Sequence, residues 1–397
     1  MAAARPAPAP PAPPRPARAA LGDQALAAGR AAGLDAAGIA TAEPFTDTRR
    51  VLEERRAAGL HGGMAFTYRN PARSTDPRAV LPSARALVAG ARAYGGGPPA
   101  APTGPGPHGR VARYAWSDHY AALAAALEAV AGVLRDDGWK AVVVVDRNDL
   151  VDRAVAHRAG LGWYGKSSLL LLPGAGSWFV LGAVVTDAPL APTAEGPEPD
   201  GCGGCTRCLA DCPTGAIVAP GVVDARRCLA WVVQAPGAVP RELRAPLGDR
   251  IYGCDDCQDV CPPNRVELRR HRSDGAPVPE PASRDRGEGP WVGLLDLLAL
   301  DDDTLLARHG RWYIAERDPR HLRRNALVAL GNVADPDDPE VAAALERVLA
   351  GPDDLLAAHA AWAARRLGRD DLLAALGPDR GPEVRAELAA PAPEVRR

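Results

Sequence analysis

The stretch CGGCTRCLADCP, residues 202–213, is the most informative part of the sequence. Its cysteines follow the spacing Cys-x2-Cys-x2-Cys-x3-Cys-Pro, which is typical of ligands to [4Fe–4S] clusters. Three thiolates spaced by two residues let a tight loop wrap one face of a cubane. The fourth, Cys212, stands next to Pro213 and points away toward a second cluster. The stretch therefore predicts a pair of iron–sulfur clusters.

A second run, CDDCQDVCPP at residues 254–263, lacks one cysteine of the full pattern. Cys228, between the two runs, supplies the missing ligand, so that eight thiolates fill two four-cysteine sites. The first site takes Cys202, Cys205, Cys208 and Cys261, and the second takes Cys212, Cys228, Cys254 and Cys257.

Two zinc sites are the alternative interpretation, because Cys-x2-Cys pairs also bind zinc. Zinc sites pair one such motif with another and do not need the longer run ending in Cys-Pro, so the spacing favours clusters. Structural disulfides do not fit, because all eight cysteines lie between Cys202 and Cys261 of a long chain without an export signal.

Length and composition restrict the remaining possibilities. The 397 residues suggest two or three domains, and the formal net charge is only −2. Any contact with nucleic acid must therefore come from a local basic patch. The sequence has neither an apolar signal segment nor a run of about 18 apolar residues, which predicts a cytoplasmic protein outside the membrane.

The pattern of apolar residues divides the chain into segments. Helical patterns alternate with strand-like runs such as AVVVV at 141–145, which predicts an α+β or α/β domain. Helix pairs joined by Asp-Pro turns near the C-terminus suggest a HEAT-like repeat. The predicted segments are a disordered tail at 1–20, an α+β domain at 21–200, a cysteine module at 201–265, a connection at 266–290, a HEAT-like helical domain at 291–377 and a tail at 378–397.

Longer motifs around the cysteines resemble one protein family. VVDRNDLVDRAVAHRAGLGWYGKSSLLLLPGAGSWFVLGAVVTD at 144–187 precedes the cysteines, and RIYGCDDCQDVCPPN at 250–264 contains the second run. Shorter matches are HGGM at 61–64, RYAW at 113–116, VDARRC at 223–228 and HLRRNALVALGN at 321–332. In this order the motifs, from about residue 30 to 370, resemble the epoxyqueuosine reductases.

The resemblance implies a reduction of epoxyqueuosine to queuosine at the wobble base of tRNA. It also implies a nitroreductase-like domain that binds cob(II)alamin at 21–200 and a dicluster ferredoxin-like domain at 201–265. Asp146, at the end of the AVVVV strand, matches the proposed proton donor of the family. The alternative is that Asp146 caps the following helix. The implied cobalamin contacts are Asp146, Lys166, Ser167, Leu170, Ser177, Leu181 and Asp255.

Gly160, Gly162 and Gly165 either let a flat macrocycle approach the backbone or form a tight turn. The chain departs from the family pattern at Asp149, at Asp118-His119-Tyr120 and at Ala230-Trp231. These differences concern single cofactor contacts.

For tRNA, a stretch rich in arginine (Arg311, Arg317, Arg320, Arg323 and Arg324) faces only Glu316 and Asp318 in sequence, so the HEAT-like helices are the expected tRNA platform. Arg153 is expected at the anticodon nucleotide. The alternative for the arginines is a solvated helix face.

We also predict a low-potential electron donor, such as a flavodoxin or ferredoxin, and a monomeric protein. Rival hypotheses are a reductive dehalogenase-like enzyme acting on a small molecule and a ferredoxin-type electron carrier.

Overall fold

Apolar strands build the central sheet of the N-terminal region. In the computed structural model, which describes residues 15–66, 68–95, 101–102, 104–266, 289–377 and 379–395, the sheet order is β1-β2-β7-β4. All neighbouring strands are antiparallel. Their bounds are β1 Ala36–Thr41, β2 Ala86–Ala93, β4 Ala141–Val145 and β7 Phe179–Thr186. This mixture of sheet and helices is the α+β class that the sequence predicts.

Both faces of this sheet are buried, which explains the continuous apolar runs of its central strands. Successive side chains of a strand point to opposite faces. Accordingly, Leu87 and Ala89 lie in one core, whereas Ala86 and Val88 lie in another. The helices of this region are α1 Arg15–Ala31, α2 Thr46–Ala57, α3 Pro71–Ser74, α4 His119–Asp136 and α5 Asp152–Arg158.

The cysteine module consists of short elements around its loops. Its helices are α6 Arg207–Ala210, α7 Leu229–Val232, α8 Arg241–Leu247 and α9 Asp256–Asp259. The remaining strands are β3 His108–Val111, β5 Trp163–Tyr164, β6 Leu170–Leu171, β8 Ile217–Ala219, β9 Val222–Val223, β10 Arg250–Tyr252 and β11 Trp291–Gly293.

A small sheet ties together three regions that are distant in sequence. Strand β3 of the N-terminal region lies between β10 of the cysteine module and β11 beyond it. One core continues from Val111 through Ile251 and Leu294 to Leu327 and Trp362. The cysteine module has few apolar residues, so it completes its core with side chains from the C-terminal helices.

The C-terminal region is helical, as the sequence predicts. Its helices are α10 Leu294–Ala299, α11 Asp302–His309, α12 Arg320–Val333, α13 Pro339–Ala350, α14 Asp354–Arg366 and α15 Pro382–Ala389. Asp301, Asp338 and Asp353 begin α11, α13 and α14 as N-caps whose carboxylates accept backbone N–H groups. None of the helices in the described ranges has the length and apolarity needed to span a membrane.

The structure differs from the prediction at both ends. The prediction of a frayed tail at 378–397 is wrong, because α15 lies there with Val384 fully buried. The predicted disordered tail is too long, since α1 begins at Arg15; residues 1–14 lie outside the described residues. Most of the predicted connection at 266–290 also lies outside them.

Candidate active site

The first group of cysteines surrounds Cys261, which comes from the second run. Burial, together with the charges of Cys202, Cys208 and Cys205, raises the pKa of the Cys261 thiol to about 11, against the opposing effect of a hydrogen bond from the backbone of Asn264. Burial also raises the pKa of Cys208, again with contributions from Cys202 and Cys205. The fold thus brings together the four thiols that the sequence assigns to one site.

The second group forms around Cys228. Burial raises the pKa of Cys254 to about 12 and that of Cys257 well above its usual value, and the charge of Cys228 contributes to both. Burial, and to a smaller extent the charge of Cys212, raise the pKa of the Cys228 thiol. Cys212 differs, because hydrogen bonds from Thr214 and Ala216 outweigh burial and lower its pKa. All eight cysteines are free thiols, so the donor set matches two four-thiolate sites.

A small cleft of about 90 Å³ adjoins the first cysteine group, and Lys166 and Ser167 line it. Lys166 Nζ donates to the carbonyl oxygen of Gly203 at 2.6 Å. The loop that precedes β6 therefore holds the backbone of the first cysteine loop.

The glycines of the GLGWYGK segment allow close packing of this loop. A Cβ atom on Gly162 would lie 2.0 Å from the carbonyl oxygen of Leu171, and Gly160 has a φ of +73°. A Cβ on Gly165 would lie 2.3 Å from Leu171 Cδ1. The positive φ supports the tight turn at Gly160. Gly162 packs against the backbone of Leu171, and Gly165 packs against its side chain.

Asp146 lies directly after β4 and has a left-handed backbone conformation, with a φ of 48°. It does not cap the following helix, since the N-cap of α5 is Val151. The capping alternative is therefore wrong. Partial burial, and then the charge of Asp118, raise the pKa of the Asp146 carboxyl. A carboxyl group of this kind holds a proton at higher pH than an ordinary one.

Asp152 is a second acid at this site, and the sequence analysis missed it. Its Oδ1 atom is buried and has no protein partner among the described residues. Burial, and then the charge of Asp146, raise its pKa well above the usual value. An aspartate in the first turn of a helix usually interacts with the helix dipole, so sequence alone gave no signal for this role.

Two tyrosines connect these acids to the cysteine module. Burial, and then the charges of Asp146 and Tyr94, raise the pKa of Tyr120, which places this tyrosine near both groups. Gln258 Nε2 donates to the hydroxyl of Tyr94 at 3.1 Å. Helix α9 of the cysteine module therefore contacts a tyrosine near the acids.

Asp255, between two cysteines of the second group, is buried at the same boundary. One carboxylate oxygen accepts the backbone N–H of Arg113 at 2.8 Å, and Oδ1 is buried without a protein partner among the described residues. Burial raises its pKa to about 6, against the opposing effect of Arg113.

Ser177 joins the sheet region to the cysteine module. Its hydroxyl accepts hydrogen bonds from Gln258 Nε2 at 3.1 Å and from Asn264 Nδ2 at 3.0 Å, and its backbone N–H donates to Asn264 Oδ1 at 2.7 Å. Leu170 is buried in the core beside it, and Leu181 packs against the same core while partly exposed.

The chain is similar to known proteins in sequence and in fold. Residues 201–264 match the model of the 4Fe-4S double cluster binding domain, which favours clusters over zinc. The chain is 32% identical to the epoxyqueuosine reductase of Bacillus cereus over 85% of its length and 87% of that protein. It is 34% identical to that of Xanthomonas campestris pv. campestris, covering 85% and 94%. This chain belongs to the epoxyqueuosine reductase family.

Solved structures of epoxyqueuosine reductases have the same fold. One, in complex with an epoxyqueuosine-modified tRNA-Tyr stem loop, has a TM-score of 0.80 and 29% identity, covering 93% of this chain and 97% of that one. Another, from Bacillus subtilis with its catalytic aspartate loop swung out of the active site, has a TM-score of 0.79 and 28% identity, covering 93% and 97%.

The prediction that Arg324 binds tRNA is wrong. This arginine is fully buried in α12 and donates to the backbone carbonyls of Ala235 and Gly237, so it cannot contact RNA. Arg323 pairs with Asp302, and its side chain is 14% exposed. The stretch is therefore not a free basic face.

The other two arginines are accessible. Arg320 is half exposed, but it pairs with Asp318 and Asp353. Arg153 is exposed and donates to the carbonyl of Ser168 at 3.0 Å. The expectation that only two carboxylates oppose the stretch fails because Asp302 and Asp353 approach from other helices.

Proposed function

We propose that this protein reduces epoxyqueuosine to queuosine at the wobble position of tRNA. Membership in the epoxyqueuosine reductase family supports this activity, and so does the complex of a family member with a modified tRNA stem loop. The observation that carries the proposal is the match of residues 201–264 to a 4Fe-4S double cluster binding domain, within a chain that has the fold of an epoxyqueuosine reductase in complex with its tRNA stem loop.

Two [4Fe–4S] clusters would be held by the two cysteine groups defined above. Burial, with a smaller contribution from neighbouring cysteines, raises the thiol pKa values of Cys254 and Cys261, and iron would bind these sulfurs as thiolates. N–H groups that point at Cys212, such as that of Ala216 at 3.2 Å, would stabilise a thiolate ligand there. Such clusters transfer single electrons.

A corrin fits the residues at the boundary between sheet and cysteine module. Asp152, Asp255 and Trp178 each have a buried polar atom without a protein partner among the described residues, and the amide groups around a corrin can donate to and accept from such atoms. Asp146, Ser177, Leu181 and Asp255 are the predicted contacts that this boundary offers. Lys166, Ser167 and Leu170 would support the loop. When bound, cob(II)alamin would supply a cobalt centre for reduction.

Asp146 would hold the proton that the reaction needs. Opening an epoxide and releasing its oxygen as water consumes two electrons and two protons, so an acid must face the developing alkoxide. A carboxyl with a raised pKa remains protonated nearer to neutral pH, which suits a general acid.

The remaining parts of the proposal follow the family. Helices α10 to α14 would form a HEAT-like platform for tRNA, and the nitroreductase-like domain would hold the corrin. A low-potential flavodoxin or ferredoxin would donate electrons to a monomeric, cytoplasmic enzyme.

The decisive experiment is conversion of the modified base. Reconstituted protein with a low-potential reductant should convert epoxyqueuosine to queuosine in tRNA, measured by mass spectrometry of the digested nucleosides. Unchanged epoxyqueuosine after reaction with fully loaded protein would refute the proposal.

Protein purified without oxygen should contain about eight iron atoms per chain, as two cubanes require. Stoichiometric zinc in a colourless protein would refute the cluster assignment.

A further inference from the structure

Two arginines, Arg55 and Arg153, are held by backbone carbonyl groups in the described part of the chain. Within the described ranges, neither Arg55 nor Arg153 forms an ion pair, and each donates to a backbone carbonyl. Arg55 Nη2 contacts the oxygen of Gly221 at 2.6 Å, and Arg153 Nη1 contacts that of Ser168 at 3.0 Å. Ser168 Oγ donates to the same Gly221 oxygen at 2.7 Å. This chain of hydrogen bonds holds both arginines in one place.

Tyr164 lies beside these two arginines. Its side chain is 40% exposed, one of the few large hydrophobic residues on the described surface, and its ring lies 4.9 Å from the His157 ring. Burial raises the pKa of its hydroxyl to about 12, while the charges of Arg153 and Arg55 act in the opposite direction. Tyr164 pairs with Leu170 in the hairpin of β5 and β6, whose loop contains Ser168, the residue to which Arg153 donates, so the ring lies on the same hairpin that holds Arg153.

This group borders the active site. Arg153 follows Asp152 in α5, and the charges of Asp146, Asp152 and Arg153 all act on Tyr120. Arg153 therefore links Arg55 and Tyr164 to the two acids.

The combination of charge and exposed ring favours RNA as the occupant. Arginines without a carboxylate partner can bind phosphates, and an exposed aromatic ring can stack on an unpaired base. Arg49 and Arg50, earlier in α2, pair with Glu53 and Glu54 and offer no such net charge.

We propose that Arg55, Arg153 and Tyr164 form an RNA-binding patch in which the arginines bind phosphates next to the modified nucleotide and Tyr164 stacks on a neighbouring base. The inference rests on the proposed function and adds Arg55 and Tyr164 to it. It also explains how RNA can be bound although Arg323 and Arg324 are occupied within the protein.

The test measures the binding of a labelled, unmodified anticodon stem-loop RNA to the cluster-loaded full chain at several salt concentrations. Arg55→Gln should weaken binding about tenfold and lower the slope of log affinity against log salt by about 0.7 to 0.9, one phosphate contact. Tyr164→Ala should weaken binding about fivefold or more, and Tyr164→Phe should bind as wild type. The matched control is Arg50→Gln in the same helix.

The outcomes separate this inference from the proposed function. If wild type binds RNA but Arg55→Gln has the same affinity and salt slope as Arg50→Gln, the patch is wrong while the enzyme assignment stands. An equal loss in both variants also overturns the patch, because it indicates a general charge effect. If wild type converts no epoxyqueuosine in tRNA, the proposed function itself fails. Cluster absorbance equal to that of wild type verifies that each variant is folded.

Discussion

At the scale of single residues, Asp146 shows how backbone and charge act together. A left-handed φ costs a non-glycine residue on the order of 1 kcal/mol, and such strain concentrates at functional sites. The carboxyl does not cap α5, because the N-cap of that helix is Val151. Burial and Asp118 then raise its pKa.

Replacement of Asp146 should separate chemistry from binding. We expect Asp146→Asn to retain the iron content and RNA affinity of wild type and to lose turnover by a factor of about 100 or more, because the general acid is missing. Single-turnover conversion of epoxyqueuosine measures the loss. Turnover near the wild-type rate would remove Asp146 from the mechanism.

The pH dependence should report the charge of Asp118. If protonated Asp146 is the active form, the rate falls as pH rises through its raised pKa. Asp118→Asn removes a charge that raises this pKa, so the falling limb of the pH–rate profile should move to lower pH. Asparagine can still cap α4, where Asp118 accepts the N–H of Ala121 at 2.9 Å. An unmoved limb would show that another group controls the rate.

Arg324 should matter for stability. Burial lowers its pKa to about 10, and its guanidinium satisfies several buried carbonyls of the cysteine module. Arg324→Ala leaves these acceptors without a donor and should cost about 2 to 4 kcal/mol of unfolding free energy. Arg320→Ala, at a half-exposed ion pair, should cost less than about 1 kcal/mol. Equal losses in denaturant titrations would contradict this assignment.

At the scale of elements, α15 shows why composition misled the prediction of a tail. Proline is tolerated in the first turn of a helix, where Pro382 stands. Glu387 then lies almost fully buried between Arg241, at 3.1 Å, and Arg244, at 2.9 Å. The partners precede it by more than a hundred residues, so no local pattern could reveal the pair.

Loss of this carboxylate should loosen the C-terminal helices. Glu387→Ala leaves Arg244 buried without its ion-pair partner and should cost about 3 to 5 kcal/mol. Glu383→Ala changes an exposed position of the same helix and should stay within about 0.5 kcal/mol of wild type. Denaturant titration compares the two, and a small effect at Glu387 would show that α15 contributes little to the fold.

At the scale of the whole molecule, the boundary between the sheet region and the cysteine module depends on tight packing at Gly176. A Cβ atom there would lie 1.8 Å from Asn264 Oδ1, the atom that accepts the N–H of Ser177. Asn264 also donates to the carbonyl of Gln258 at 2.9 Å. This hydrogen-bonded contact positions the second cysteine run against the cleft.

Two glycine variants should isolate that contact. Gly174 and Gly176 both have a positive φ, so alanine strains the backbone at either position, but a Cβ on Gly174 meets no atom within 4 Å. Gly176→Ala should therefore lower the melting temperature several degrees more than Gly174→Ala. It should also increase hydrogen exchange around Ser177 and Asn264. Equal effects would show that the boundary tolerates displacement.

The sequence predicted the components of the site better than their surroundings. Cysteine spacing predicted a pair of clusters, because a cluster imposes its geometry on a short loop, and the match of residues 201–264 to a double cluster binding domain agrees with that pair. Local periodicity predicted β4 and the long helices of the C-terminal region, whereas the short elements around the cysteines gave no such pattern. Asp152 was missed, because its importance comes from burial beside Asp146, which no spacing indicates.

What the sequence determined by itself was local: thiol spacing, apolar periodicity and the order of motifs, each set by neighbours within a few turns of chain. Tertiary structure decided which charges remain available. Arg324 became a buried donor, whereas Arg55 donates to a backbone carbonyl and forms no ion pair in the described part of the chain. Whether a charged side chain is buried and paired or accessible to a ligand depends on tertiary structure, because its desolvation cost and its nearest carboxylate are set by residues far away in the chain.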